Sequence, residues 1–317
     1  MGCSLRLKKL PNHVCILIPF LHFEHELERE LVLNGIDVLE QNRYYILVKN
    51  LDCNLIWART VLKNCQVIPI SGKSAALKIL KNRPYLGCFL PSPHFIKLTA
   101  SIRKELRELK MKRLKFEVPG RFNFKYFVWT INSNGELLVC DQPEAQYPLG
   151  WYEFEENKSA PPNRAYLKLW ESLTLGHIRL SADDVVADLG ASPGGWTWVL
   201  SDIVKHVYSV DKAPLNENIT KRQNVTYFSE DAFTASPTKF KNCNWMFSDI
   251  ICTPLRLLEL VETWLNAGQV KNYHCTIKFK GSCDFDILRK FLNIENSKII
   301  HLYQNKNEVT WIKQEKK

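Results

Sequence analysis

The stretch Asp188-Leu189-Gly190-Ala191-Ser192-Pro193-Gly194-Gly195-Trp196 joins an apolar run, Val185 to Leu189, to a segment with helical spacing. Glycines at such a junction let the chain turn sharply and pass close to a ligand, and the helix that follows offers its first amides. The spacing is not G-x-G-x-x-G, and Pro193 lacks the amide donor that a pyrophosphate cradle would use. A dinucleotide, and with it a nicotinamide-dependent oxidoreductase, is therefore disfavoured.

Around this loop, short apolar strands alternate with helices. Strands are expected at Val185 to Leu189, Val207 to Asp211, Val225 to Phe228, Trp245 to Asp249, Tyr273 to Lys278, Ile299 to Tyr303 and Val309 to Lys313. Helices fit Arg164 to Leu175, Gly194 to Lys205, Pro254 to Leu265 and Asp284 to Leu292. This alternation predicts an α/β domain with a parallel, Rossmann-like sheet covered on both faces, its ligands at the carboxyl ends of the strands. The last two strands are separated by a short turn and must pair antiparallel, closing the sheet with a terminal hairpin.

Upstream the pattern changes. His13 to Pro19 reads as a strand, and Phe23, Leu27, Leu31 and Asn34 fall at helical spacing before Gly35 stops the helix. A strand at Tyr44 to Lys49, a helix at Asn54 to Leu62 and a strand at Gln66 to Ile70 complete a small α+β unit. A proline-rich loop leads to a helical segment, Phe95 to Leu114, and to a hairpin, Phe124 to Ile131 and Glu136 to Cys140. The span Arg103 to Arg121 carries eight basic residues against three glutamates. The hairpin aromatics Phe124, Tyr126, Phe127 and Trp129 are candidates for stacking on bases, with about half expected to face the core. The proline-containing stretch Gln146 to Arg164 reads as a linker. The expected division is 1–75, a small α+β domain; 76–145, a basic nucleic-acid-binding region; 146–163, the linker; and 164–317, the Rossmann-like domain.

Charge follows that division. The chain of 317 residues has a formal net charge of +10, with 22 basic and 13 acidic residues in 1–150 and 21 against 20 in 151–317. A basic half beside a neutral half suggests that the grip on a polyanion and the chemistry are separate. The ten cysteines include no C-x-x-C pair and no His/Cys cluster at zinc spacing, so neither a disulfide framework nor a metal is expected, and a cytoplasmic setting fits. Lys8 and Lys9 precede the apolar run Val14 to Leu21, but Pro19 interrupts it, which favours a buried strand over a signal peptide. Met1-Gly2-Cys3 lacks the Ser or Thr at position six of a myristoylation start, where Arg6 stands. No apolar run approaches a membrane span, and the chain is expected to be soluble.

The acidic residues at the strand ends suit a ligand without phosphate. Adenosylmethionine would place its methionine and sulfonium portion against Gly190, Ser192, Pro193, Gly194, Gly195 and Trp196. Asp211, ending the second strand, can accept both ribose hydroxyls, and Asp231, after the third, can accept the adenine amino group.

These phrases resemble the FtsJ-like ribose 2′-O-methyltransferases. The likeness is carried by Asp188 to Trp198, Tyr208 to Asp211, Glu230-Asp231, Ser248-Asp249, Ile277-Lys278 and Glu308-Val309-Thr310, in order through the C-terminal half. It is fainter at Pro19 to Leu31, at Leu55 to Arg59 and at Arg164 to Leu169. Within the family the likeness is greatest to members that methylate a cytidine ribose of large-subunit ribosomal RNA, which carry an RNA-binding THUMP domain upstream. This chain is shorter there, so a reduced THUMP-like domain is expected. The resemblance implies adenosylmethionine as cofactor, a methyltransferase form of the Rossmann sheet, and RNA, most closely large-subunit ribosomal RNA or its precursor, as partner. Transfer RNA and messenger cap ribose are alternative substrates, and a noncatalytic RNA-binding or assembly protein that retains the fold is the alternative outside enzymes.

The resemblance further implies a catalytic tetrad at Lys168, Asp249, Lys278 and Glu308, with Asp249 also against the cofactor. A ribose hydroxyl is a poor nucleophile until its proton is removed, and a lysine removes it only when uncharged. Burial and the charge of Lys168 are expected to favour the neutral form of Lys278, the proton acceptor, while Asp249 and Glu308 orient the amines. Lys280 is a rival whose register does not match the family phrase. Ala165 stands where those relatives have a cofactor-contacting serine, so only a backbone contact is expected there.

Overall fold

The computed structural model describes residues 10–315 apart from 121, 123, 124, 142, 145 and 146. The readings placed on Met1 to Lys9, Arg121 and Phe124 lie outside the described residues. The chain divides into two units, residues 1–112 with 122–151, and 113–121 with 152–317.

In the first unit, His13–Pro19 is strand β1, as its apolar run requires, and Glu24–Leu33 is helix α1. Leu27 and Leu31 of α1 are buried, and Phe23 packs on Trp57 with ring centroids 5.5 Å apart. The unit continues with β2 (Val38–Gln41), β3 (Ile46–Val48), β4 (Ala58–Ile68), α2 (Lys73–Lys81), β5 (Leu86–Phe89), α3 (Ile96–Arg103), β6 (Tyr126–Ile131) and β7 (Leu137–Asp141). Its sheet runs β2-β3-β1-β4-β7-β6-β5, with β5 and β6 parallel and the other pairs antiparallel.

Four expectations are corrected here. Asn54 to Leu62 does not form a helix: from Ala58 it belongs to β4, where β-branched Thr60 and Val61 pair with β1 and the strand continues through the expected 66–70 strand to Ile68. The division at residue 75 falls within one sheet, because Gln66 to Ile68 of β4 pair with Leu137 to Val139 of β7. The helix beginning near Phe95 ends at Arg103, not Leu114. Beyond it the backbone joins the sheet margin, with the Gly87 N–H donating to the Arg107 carbonyl and the Leu109 N–H to the Gly87 carbonyl. Finally, Tyr126, Phe127 and Trp129 are all buried, so none of the three is available to stack on a base.

In the second unit, α4 (Tyr166–Thr174) precedes β8 (Val185–Leu189), α5 (Gly195–Ser201), β9 (His206–Asp211), α6 (Glu217–Thr220) and β10 (Val225–Ser229). Then come β11 (Trp245–Ser248), α7 (Pro254–Ala267), β12 (Asn272–Lys278), α8 (Phe285–Leu292), β13 (Ser297–Ile300) and β14 (Glu308–Lys313). The sheet order is β10-β9-β8-β11-β12-β14-β13. Strands β8 to β12 are parallel, and β14 runs antiparallel to both β12 and β13, which is the expected Rossmann-like sheet with its closing hairpin. Strand order reverses at β8, which has β9 on one side and β11 on the other, so the loops after β8 and β11 open a crevice at the carboxyl ends. Because β14 is antiparallel, its first residue stands beside the last residue of β12, and Glu308 is the register partner of Lys278. Residues 113–121, assigned from sequence to the basic region, belong to this unit: Leu114 bridges to Phe154, and Phe116 stacks on Trp170 at 4.7 Å.

Candidate active site

Three strand ends and one helix bring together the four residues expected to act jointly. Asp249 follows β11, Lys278 ends β12, Glu308 begins β14 and Lys168 lies in the first turns of α4. Lys168 Nζ donates to Asp249 Oδ1 and Oδ2 at 2.9 and 3.1 Å and lies 2.6 Å from Glu308 Oε1. Lys278 Nζ lies 2.9 Å from Asp249 Oδ1 and 3.8 Å from Glu308 Oε2. The two lysines therefore share the same two carboxylates, and Lys168 is held by both while Lys278 is held closely by one. Burial opposes a charge on Lys168, but Asp249 and Glu308 outweigh it and raise its pKa. Burial likewise acts to raise Asp249, yet the two ammonium groups prevail and hold its carboxyl below the usual range.

Next to this cluster, between the β8 and β11 loops, is a cavity of about 400 Å³. Ala165, Gly190, Ser192, Gly195, Trp196, Asp211, Asp249 and Lys278 line it, as do Asn163, Asp188, Ala191, Ile250 and Ile251. A cavity of about 220 Å³ shares Gly190, Asp211, Ile250 and Ile251 with it and adds Lys212, Asp231, Phe233 and Arg256. Backbone passes close to this space. A Cβ on Gly190, whose φ is +78°, would stand 2.8 Å from Ile250 Cβ, and one on Gly195 would collide with Asn163 Oδ1. Pro193 and Gly194 shape the turn without lining the cavity: the Pro193 carbonyl accepts from the Asn216 N–H, and Gly194 caps α5.

The acidic residues differ in what they hold. Asp211 accepts from the Ser192 N–H at 3.0 Å and the Ala213 N–H at 2.9 Å, one bond per oxygen, which leaves acceptor capacity on both. Asp231 lies 2.8 Å from Lys212 Nζ and accepts from the Phe233 N–H, and the Lys212 hydrogen bond holds it below the ordinary carboxylate range. Asp188 is fully buried, accepts from Thr197 Oγ1 at 2.7 Å and is pushed by burial up to about 7. The Ala165 carbonyl accepts from Trp196 Nε1 at 2.9 Å, and its N–H donates to Asn163 Oδ1 at 3.0 Å, so both backbone groups already brace the cavity wall.

A further cavity, about 680 Å³, lies against the lysines and is lined by Lys168, Lys278, Glu308, Ala165, Arg164, Glu153, Glu156 and the segment Tyr303 to Lys306. Lys278 and Ala165 line both this space and the 400 Å³ cavity, so the lysine stands in the wall between them.

The Gly-rich loop that lines the cavity and the Lys-Asp-Lys-Glu cluster in its wall fall on phrases by which the sequence resembles a family. Residues 161–306 match the FtsJ-like methyltransferase family. The FtsJ-like segment contains three of the four clustered residues, with Glu308 just beyond its end. A Ribosomal RNA large subunit methyltransferase M from Xanthomonas euvesicatoria pv. vesicatoria (strain 85-10) is 33% identical over 189 residues, 55% of this chain and 54% of that protein. Its namesake from Shewanella sp. (strain ANA-3) is 28% identical over 254 residues, 66% of this chain and 68% of that protein. The chain spans about half the length of the first of these relatives. Among solved structures, an rRNA methylase from Streptococcus thermophilus overlaps 43% of this chain and 89% of its own, with a TM-score of 0.32 and 12% identity.

Within the FtsJ-like segment, several cavity residues went unread in the sequence. Ile250 and Ile251 follow Asp249 as an apolar pair in a loop, and only the structure shows that Ile251 is 83% exposed. Asn163 lies in the polar linker and carries no distinguishing spacing. Lys280, the rival base, lines neither cavity beside the cluster.

Proposed function

We propose that the C-terminal unit transfers the methyl group of adenosylmethionine to the 2′-hydroxyl of a ribose in RNA, with large-subunit ribosomal RNA as the substrate that the relatives' names favour and a cytidine as the target that the family resemblance implies. The observation that carries this reading is the position of Lys278, in a wall shared by the 400 Å³ and 680 Å³ cavities, which we assign to the methyl donor and the acceptor respectively.

The residues present fit that donor. Gly190 and Gly195 let Ile250 and Asn163 pack directly against the loop backbone where it lines the 400 Å³ cavity, and Asp211 retains acceptor capacity for a pair of hydroxyls. Gly190, Ser192, Gly195, Trp196, Asp211 and Asp231 would hold it, with Ala165 and Asp249 at the end nearest the lysines and Pro193 and Gly194 setting the turn. Adenosylmethionine, when bound, supplies an electrophilic methyl group.

The chain's own residues deal with the acceptor's proton. Lys168, ion-paired with both carboxylates, keeps its charge and fixes Asp249 and Glu308 in place. Lys278 has one close carboxylate and one at 3.8 Å, so it is the less firmly held cation of the two. As the neutral amine, its Nζ takes the proton from the 2′-hydroxyl, and Asp249 aims that nitrogen and stabilises the ammonium that results. RNA as substrate is consistent with a cytoplasmic setting, and no helix among the described residues is long and apolar enough to cross a membrane.

The test is transfer of labelled methyl from adenosylmethionine to total RNA from cells lacking the gene, with sites mapped by resistance of 2′-O-methyl linkages to alkaline cleavage. Label at one large-subunit ribosomal site is the expected result. No label on any RNA, with cofactor binding demonstrated, overturns the reading in favour of a noncatalytic RNA-binding protein.

A further inference from the structure

Three residues beyond Lys168 on α4, Glu171 is fully buried with no ion-pair partner among the described residues. Its carboxylate accepts from two successive backbone amides, Tyr303 N–H at 2.7 Å and Gln304 N–H at 3.0 Å. Those residues begin the segment that lines the acceptor cavity and leads directly into Glu308. Other bonds tie the same segment down. His301 ring nitrogens contact the Leu302 and Lys306 carbonyls, and Gln304 Nε2 donates to the Tyr152 carbonyl. Glu171 differs from these in joining the segment to the helix that carries Lys168.

Burying a polar group is costly unless it is hydrogen-bonded, and the two bonds from the 303–304 amides are what satisfy this carboxyl group. We propose that Glu171 is a positioning residue for methyl transfer, clamping residues 303–304 to α4 so that the acceptor cavity and Glu308 keep their place against Lys168 and Lys278. The proposal rests on the methyl-transfer reading. Glu171 itself lines neither cavity, so it acts through the loop and not on the reacting atoms. The clamp leaves the cofactor side untouched, because Tyr303 and Gln304 do not line the 400 Å³ cavity.

The experiment compares full-length wild type with Glu171→Gln, which keeps the side chain's shape and one acceptor oxygen but turns an NH2 toward a backbone N–H. Three readings are made: steady-state transfer to total RNA, adenosylmethionine affinity by calorimetry, and hydrogen exchange at the Tyr303 and Gln304 amides. With one buried bond lost, kcat/KM for RNA is expected to fall about tenfold or more, with exchange at both amides rising by a similar factor. Cofactor affinity should stay within about twofold, a split that general destabilisation would not produce. Should the glutamine variant fail to fold, Glu171→Asp, which withdraws the carboxylate by one methylene, is read in the same way. An active wild type whose folded variant shows unchanged kcat/KM for RNA, or loses RNA and cofactor affinity in parallel, overturns the clamp. A wild type that transfers no methyl group overturns the reading beneath it, whatever the amides show.

Discussion

Both units bury a helical glutamate that grips two successive amides of an incoming loop. In the N-terminal unit, Glu30 of α1 accepts from Ile56 and Trp57 at 2.7 and 2.9 Å; in the C-terminal unit, Glu171 of α4 accepts from Tyr303 and Gln304. Burial pushes both carboxyls upward, Glu171 to about 8. What the gripped loop leads to is different. Beyond Trp57 the chain enters β4 and pairs with β1, whereas beyond Gln304 it reaches Glu308 and a wall of shared charges. The same device thus holds a strand in one unit and the proposed reaction centre in the other, and the device alone does not identify a site. Identification needs the convergence of groups that cannot be explained by holding the fold together.

The sharpest way to break this contrast is Lys278→Ala. Methyl transfer should fall by about a thousandfold, the range of a general base, with calorimetric cofactor affinity nearly intact. Full activity would return Lys278 to a structural role like that of the buried carboxylates in the first unit. Gly195→Ala comes next. The new Cβ would displace Asn163, costing about 1–3 kcal/mol in packing, and titration should show weaker adenosylmethionine binding with the N-terminal unit's melting unchanged.

A smaller effect sharpens the comparison of the two clamps. The Glu171 carboxyl, ordinarily near 4.5, is raised to about 8, so the folded chain keeps a proton that the unfolded chain has released across that window. Stability should therefore decline as pH rises from about 4.5 to 8, by at most about 1.4 kcal/mol per unit, and level off above. Melting curves across that range should lose this component of slope in Glu171→Gln, and an unchanged slope would show that the residue is ionised throughout. The smallest effect is expected from neutralising Arg107, Lys110 and Arg113 together. Arg113 already pairs with Glu153 at 2.7 Å, so the loss of RNA affinity should be modest, with a shallower dependence on salt measured by filter binding.

The C-terminal sheet was readable because its central strands β8, β11 and β12 are short, almost wholly buried runs bounded by turns, and even the half-exposed edge strands β10 and β13 fall within a few residues of their expected places. The four cluster positions were read from phrases that resemble a family, three at strand ends and Lys168 on the helix entering the unit, and the structure brings their side chains together. Asn54 to Leu62 was not readable, because local spacing suggested a helix and pairing with β1 decided otherwise. The stretch after Arg103 failed for a related reason, its backbone being taken up by Gly87 at the sheet margin. Glu171 carried a signal that was overlooked, a lone acid within the apolar stretch of α4. Ile250 and Asn163 carried none, since their part in the cavity depends on loops that sequence spacing does not place.

The facing of Lys278 and Glu308 across the antiparallel β12–β14 pair has a consequence for how the centre comes into being. A slip of a single residue would turn one member of the pair to the opposite face of the sheet, so the pairing of these two charges reports that β14 is threaded in register. Lys168 comes from near the start of the continuous 152–317 stretch and Glu308 from near its end, so the four-residue cluster is complete only when that whole stretch has folded.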